Sequence, residues 1–252
     1  ESSLGLVGSE MCIRDRISVA LPNSFIFTAS SIALSSGGKI EEISTKNSIP
    51  YFKINQTHSP RGSFVQFLYS TLNILEGIIP MDKNGIDESI NALCETQKLI
   101  GSNSLNEKNE ALNLAEWIKE IPMVYHPWGL QSAAIRFKNS MQENAKKHVM
   151  YENIIEMCHN GIVSWEKPSS IQPILIRGHD DHVKTIERWA ILKDFFKNQG
   201  IDCFEIKSVE GNILSKIVNL IYVLDYTSIY HSVLNQIDPS PVDAIDLSLI
   251  HI

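Results

Sequence analysis

Cysteine is scarce in this chain, 4 in 252 residues, and what there is has no pattern. Cys94, Cys158 and Cys203, with Cys12 near the start, lack the close spacing of a thiolate metal site or a disulfide framework. Reduced thiols, and hence a cytoplasmic setting, are the expectation. Positive charge is in deficit as well: 22 Lys and Arg stand against 29 Asp and Glu, a formal net charge of -7. Such a surface has no general attraction for nucleic acid or an anionic membrane, so an anionic substrate needs a local positive site. Long apolar runs are missing. The most apolar stretch, 214–224, is interrupted by Asn219 and Asp225 well before the ~20 residues needed to span a bilayer, and it reads as a buried helix or subunit contact. No cluster of His, Cys and carboxylates has metal-ligand spacing, so neither a metal nor another cofactor is expected.

The two ends carry a different signal. Residues 11–16, MCIRDR, and 247–252, LSLIHI, can be encoded by one DNA element read in opposite orientations, and that element looks like the mosaic end of a transposase-based sequencing adapter. Residues 1–16 and 247–252 are therefore expected to be adapter-derived and are set aside from fold reasoning. The remaining 17–246 holds 20 basic and 26 acidic residues, enough chain for one or two domains at ~100 to 200 residues each.

Strand-like and helix-like segments alternate along that stretch, which predicts an α/β fold with parallel sheets. Strands are expected at 24–34 and 50–54, with a Ser35-Ser36-Gly37-Gly38 turn leading into a short helix at 39–45. A polar loop at 55–61 precedes an apolar helix at 64–75. After a break at 80–85, two amphipathic helices at 86–99 and 107–119 connect to a second α/β set. Its expected strands are 121–125, 173–176 and 203–206, and its expected helices are 130–146, 151–157, 180–198 and 212–236. Asp180 or Asp181 is the expected cap of the third helix, Gly200 its stop, and Val183, Ile186, Trp189, Ala190 and Leu192 its apolar face.

Residues 136–165 carry the chemistry. Glu143 and His159 stand sixteen positions apart across a polar break, and a carboxylate and an imidazole brought together can divide a proton-transfer task as base and acid. On local sequence alone Glu143 reads first as a solvated residue paired with Lys146 and Lys147, three and four positions on. Arg61, in the run His58-Ser59-Pro60-Arg61-Gly62-Ser63-Phe64, offers fixed charge and directed donors ahead of a helix. A solvent-exposed loop arginine is its plain alternative.

The run Met141-Gln142-Glu143-Asn144-Ala145-Lys146, followed at the same interval by Cys158-His159-Asn160-Gly161-Ile162-Val163-Ser164-Trp165, resembles the second half of bifunctional phosphoglucose/phosphomannose isomerases, members of the sugar isomerase (SIS) superfamily. Their pattern is a Gln-x-x-Asn-Glu-Asn-like helix end, then Asn-His-Asn and Val-x-Trp. Arg61 matches their Gln-Pro-Arg loop, and Asp238-Pro239-Ser240-Pro241-Val242 their Asp-Pro-Thr-Pro-Val. The resemblance implies two SIS-type doubly wound parallel-sheet domains, flavodoxin-like, the first incomplete at 17–100 and the second at 101–246. It implies isomerisation of glucose 6-phosphate, and of mannose 6-phosphate, to fructose 6-phosphate through a cis-enediol(ate). Glu143 would be the base, and His159, reaching in from a neighbouring subunit of a homodimer, would assist ring opening. Arg61 would stabilise the enediolate, and Ser240 would lie near the sugar. The Ser35–Gly38 turn is read as a plain strand-to-helix connection and is not assigned to the site.

Three departures from the pattern qualify this. Gly161 stands where the family has glutamate, Ser240 replaces threonine, and the family's phosphate-binding loops and following lysine fall outside the natural segment. The 252 residues as written are accordingly expected to be inactive or nearly so. A phosphosugar-binding regulatory module of the same fold is the alternative, since fold does not establish chemistry. An SIS isomerase acting on aminosugar phosphates is a second.

Overall fold

In the computed structural model the chain is described at residues 6–7, 17–20, 31–55, 59–79 and 83–245. It divides into two compact units, Glu1–Met81 and Asp82–Ile252. The division falls ahead of α3 (Lys83–Ile100) rather than behind it at residue 100, where the sequence placed the domain boundary.

The first unit has a sheet in the order β1 (Leu6–Val7), β2 (Ile17–Ala20), β3 (Ser31–Ser35), β4 (Tyr51–Lys53). Only β3 and β4 are parallel; β1–β2 and β2–β3 are antiparallel. Residues 21–30 alone connect β2 to β3, fewer than the dozen or so that a parallel crossover requires. Of the strand expected at 24–34, residues 24–30 lie outside the described residues. The β3–β4 crossover is α1 (Lys39–Lys46), entered through Gly37 and Gly38 at φ 140° and 73°. Left-handed backbone of this kind is what Gly supplies. A 3-10 turn at Arg61–Ser63 then opens α2 (Phe64–Ile74).

The second unit is a four-stranded, fully parallel sheet in the order β6 (Met150–Asn153), β5 (Ile121–His126), β7 (Ile171–Arg177), β8 (Phe204–Lys207). Its helices are α3, α4 (Glu110–Trp117), α5 (Gln131–Ala145), α6 (Ile154–His159), α7 (Val183–Gln199) and α8 (Ile213–Leu234), with a 3-10 turn at Gly161–Glu166. The step from β5 to β6 goes one way along the sheet, and the steps from β6 to β7 and from β7 to β8 go the other. Right-handed crossovers therefore put α5 on one face and α6 and α7 on the opposite face.

Packing agrees with that rule. On one face Tyr125 and Leu175 meet Ile154, Met157, Trp165, Trp189, Leu192 and Phe196 in a buried cluster. Fully burying a side chain of this size contributes roughly 1.5–3 kcal/mol. Trp165 Nε1 donates to the Tyr125 hydroxyl at 2.8 Å, which satisfies two of the polar atoms inside it. On the other face α8 is the hub. Arg136 of α5 makes a two-pronged bond to Asp225, through Nε at 3.0 Å and an Nη at 2.8 Å. Ser140 donates to the same carboxylate, Asn144 donates to Ser228 at 2.8 Å, and Asn219 donates to Thr96 of α3 at 2.9 Å. The imidazole of His231 lies 2.9 Å from the Ala115 carbonyl of α4, and burial holds its pKa below the usual range.

Two local expectations are corrected. The helix expected over 151–157 is instead strand β6 followed by α6, with Asn153 capping α6 through a bond from the Ile155 N–H at 2.9 Å. Pairing of Met150–Asn153 with β5 overrides a local pattern too short to mark a strand. His182, not Asp180 or Asp181, caps α7. The two aspartates are otherwise engaged: Asp180 with Lys216, and Asp181 with the Gly178 N–H and Trp189 Nε1. Among the described residues no helix is long and apolar enough to cross a membrane.

Candidate active site

Glu143 is the antepenultimate residue of α5 and is half-buried. Because α5 begins beyond the C-terminal end of β5 and runs back for 15 residues, about 22 Å at 1.5 Å per residue, it delivers Glu143 to the N-terminal edge of the strands. α8 runs the same way beside it, so the turn after α8 that holds Ser240 arrives at this edge too.

Lys146 ties the two together. It stops α5 in the left-handed conformation at φ 53°. Its Nζ donates to the Glu143 carbonyl at 2.6 Å and to the Pro241 carbonyl at 2.7 Å. Within the turn the Ser240 N–H donates to Asp238 at 2.8 Å, and that bond holds the Asp238 carboxyl below its ordinary range. Ser240 itself is exposed. Lys147 is directed to the Lys119 carbonyl at 3.0 Å. Both lysines that made Glu143 look like an ordinary surface residue therefore spend hydrogen bonds on main-chain carbonyls.

His159 is elsewhere. It ends α6 and is exposed, on the sheet face opposite α5. One chain thus joins Glu143 with Ser240 and keeps His159 apart from both. Arg61 belongs to the first unit, where it starts the 3-10 turn ahead of α2 and is half-buried. Ser59 braces that turn by accepting the Ser63 N–H at its carbonyl and the Gly62 N–H at its hydroxyl.

Gly161 has a neighbour that the sequence did not announce. A Cβ at this position would lie 2.7 Å from Oε2 of Glu152 and 3.5 Å from its carboxyl carbon. The carboxylate of the penultimate residue of β6 therefore takes up the space beside the histidine turn. Burial raises the pKa of Glu152, and Glu156 adds to the effect. Sequence reasoning took Lys146 only as a surface partner of Glu143 and passed over Glu152. The first has no motif beyond its place after a helix, and the second depends on a strand pairing that only the folded sheet reveals.

Residues 107–248 match the family model described as the bacterial phospho-glucose isomerase C-terminal SIS domain. Among curated proteins the chain is 30% identical over 227 residues to a bifunctional phosphoglucose/phosphomannose isomerase of Caldicellulosiruptor bescii, covering 86% of this chain and 66% of that one. It is 25% identical over 219 residues to the protein of the same name from Aquifex aeolicus, covering 85% and 65%. The chain thus spans about two thirds of the length of these relatives. Among solved structures, a glucose-6-phosphate isomerase like protein from Thermus thermophilus aligns with TM-score 0.61 at 17% identity, covering 84% of this chain and 67% of that one. Tagatose-6-phosphate ketose/aldose isomerase from Escherichia coli aligns with TM-score 0.58 at 12% identity, covering 84% and 62%. At such identities these two structures bear on the fold alone, and both carry the α/β architecture found here. By the match over 107–248, the chain belongs to the family of bacterial phosphoglucose isomerase C-terminal SIS domains.

Proposed function

We propose that this chain works in an aldose-ketose isomerase that interconverts glucose 6-phosphate, and also mannose 6-phosphate, with fructose 6-phosphate. Family membership and the names of the curated relatives support the reading. The observation that carries it is the setting of Glu143, half-buried at a helix end that Lys146 fastens to the Ser240 turn. With the sugar ring open, Glu143 takes the proton from carbon 2 of the aldose while the carbon 1 carbonyl becomes the oxygen of a cis-enediol(ate). The same carboxyl then returns the proton to carbon 1 while the proton of the carbon 2 hydroxyl passes to oxygen 1, so that carbon 2 becomes the carbonyl of the ketose. Arg61 faces the negative charge on the enediolate, a task suited to a fixed guanidinium. Ser240 contacts the sugar near carbon 2, where the two aldoses differ. His159 moves the proton that opens the ring.

The opposite faces occupied by Glu143 and His159 favour a homodimer in which each subunit lends its histidine to the other's site. Unbridged Cys94, Cys158 and Cys203 favour the cytoplasm, and there a role in glycolysis and gluconeogenesis. The test is a coupled assay of fructose 6-phosphate formation from each aldose, on the complete natural protein. Turnover should fall on the order of 10²–10⁴-fold in Glu143→Gln. Tight binding of both sugars without turnover would instead make the protein a phosphosugar-responsive regulator.

A further inference from the structure

Glu152 sits in β6 opposite Tyr125 of β5, on the sheet face where α6 packs. The strand runs directly into the six-residue helix that ends at His159, so one short excursion brings the chain back over the Glu152 side chain. Each atom of that carboxylate lies within 3.6 Å of the point where a Cβ of residue 161 would be. The turn receiving it is held on both sides: the Asn160 N–H donates to the Glu156 carbonyl at 3.0 Å, the Val163 N–H to the Asn160 carbonyl at 3.3 Å, and the Ser164 hydroxyl to the Gly161 carbonyl at 2.6 Å. The groups that act electrostatically on or with Glu152 are Glu156 and the Tyr125 phenol. Among the described residues its half-buried carboxylate accepts no hydrogen bond and meets no cation.

We propose that Glu152 and Gly161 form a single functional position: the glycine leaves the volume empty so that the Glu152 carboxylate can stand beside the His159 turn and orient that imidazole. A carboxylate near a histidine, linked to it through one water, selects which ring nitrogen carries the proton and fixes the ring's direction. Glu152 is thus a positioning residue for the ring-opening step. The proposal rests on the isomerase reading for its kinetic consequence, but not for its effect on the ring.

Two readouts test it on the full-length protein, with the melting temperature followed as a control on folding. The first is the tautomer of the His159 ring from nitrogen-resolved NMR. The second is kcat and KM for glucose 6-phosphate. In Glu152→Gln the ring should pass from one tautomer to a mixture, and kcat should drop about 10-fold with KM within about 2-fold, as for other groups that orient a functional histidine. Gly161→Ala should do the same, because its methyl group must displace the carboxylate. The swap of Glu152→Ala with Gly161→Glu, which moves the carboxylate without removing it, should recover both the single tautomer and most of kcat.

An unchanged tautomer in Glu152→Gln, or a natively folded swap that recovers neither quantity, would overturn the proposal. A parent protein that turns over neither hexose phosphate would refute the isomerase reading. The ring measurement would still decide the role of Glu152.

Discussion

Among single residues, Glu110 has the clearest consequence for pH. It opens α4, is half-buried, and desolvation lifts its carboxyl to about 7. The folded state then holds a proton that the unfolded chain releases near pH 4.5. The associated stability is complete below that value and is lost as pH rises through about 7. Glu110→Gln should therefore be more stable than the parent at pH 8, by on the order of 1–3 kcal/mol, and should flatten the decline between pH 5 and 7.5. Urea unfolding at several pH values measures this. Motif spacing is what nominates Glu143, His159, Arg61 and Ser240 as candidates. It does not nominate Glu110, Lys146 and Glu152, because what sets them apart is burial, a carbonyl partner and a facing glycine.

The helices repeat this lesson on a larger scale. Helices with strong stop or cap signals were legible: Gly200 ends α7 in the left-handed region at φ 69°, and α8 begins at Asn212, whose side chain accepts the Ser215 N–H. Of the predicted apolar face of α7 only Trp189 and Leu192 are buried. Ala190 is exposed, and Val183 and Ile186 are 58% and 45% exposed because the first turn of the helix projects past the core. What no periodicity reveals is the polar fastening of α5 to α8. The Arg136 side chain is only 8% exposed and that of Asp225 21%. Asp225→Ala, which takes the paired carboxylate away from a buried guanidinium, should cost about 3–5 kcal/mol by chemical denaturation. Replacing Arg136 and Asp225 together by well-packed Met and Leu should cost much less, and an equal loss would show that the pair itself supplies the stability.

For the whole molecule, the placement of Glu143 and His159 on opposite faces makes the proposed dimer testable through mixing. Glu143→Gln and His159→Ala subunits, each inactive alone, should recover about a quarter of the parent rate when unfolded and refolded together. Half of randomly assorted dimers are hybrids, and each hybrid has one intact site. No recovery, with hybrids demonstrably formed, would mean that the two residues do not share a site. The fold class and the pair of α/β units were readable from the alternation of segments. The face on which each helix lands was not, because it follows from strand order, and β6 was hidden inside a predicted helix.

The start of α8 also bears on where the gene can be divided. Glu88 of α3 accepts the Asn212 N–H at 2.6 Å and the Ser215 hydroxyl at 3.0 Å, and Asn212 in turn donates to the Gly85 carbonyl. At Gly211, with φ 132°, a Cβ would run into the Glu88 carboxylate. Codons 82–100 are therefore a working part of the downstream half. A gene cut before codon 82 should yield a chain that keeps its helical hub, whereas a cut before codon 101 removes the groups that fasten the first turn of α8 and leaves its flank wet.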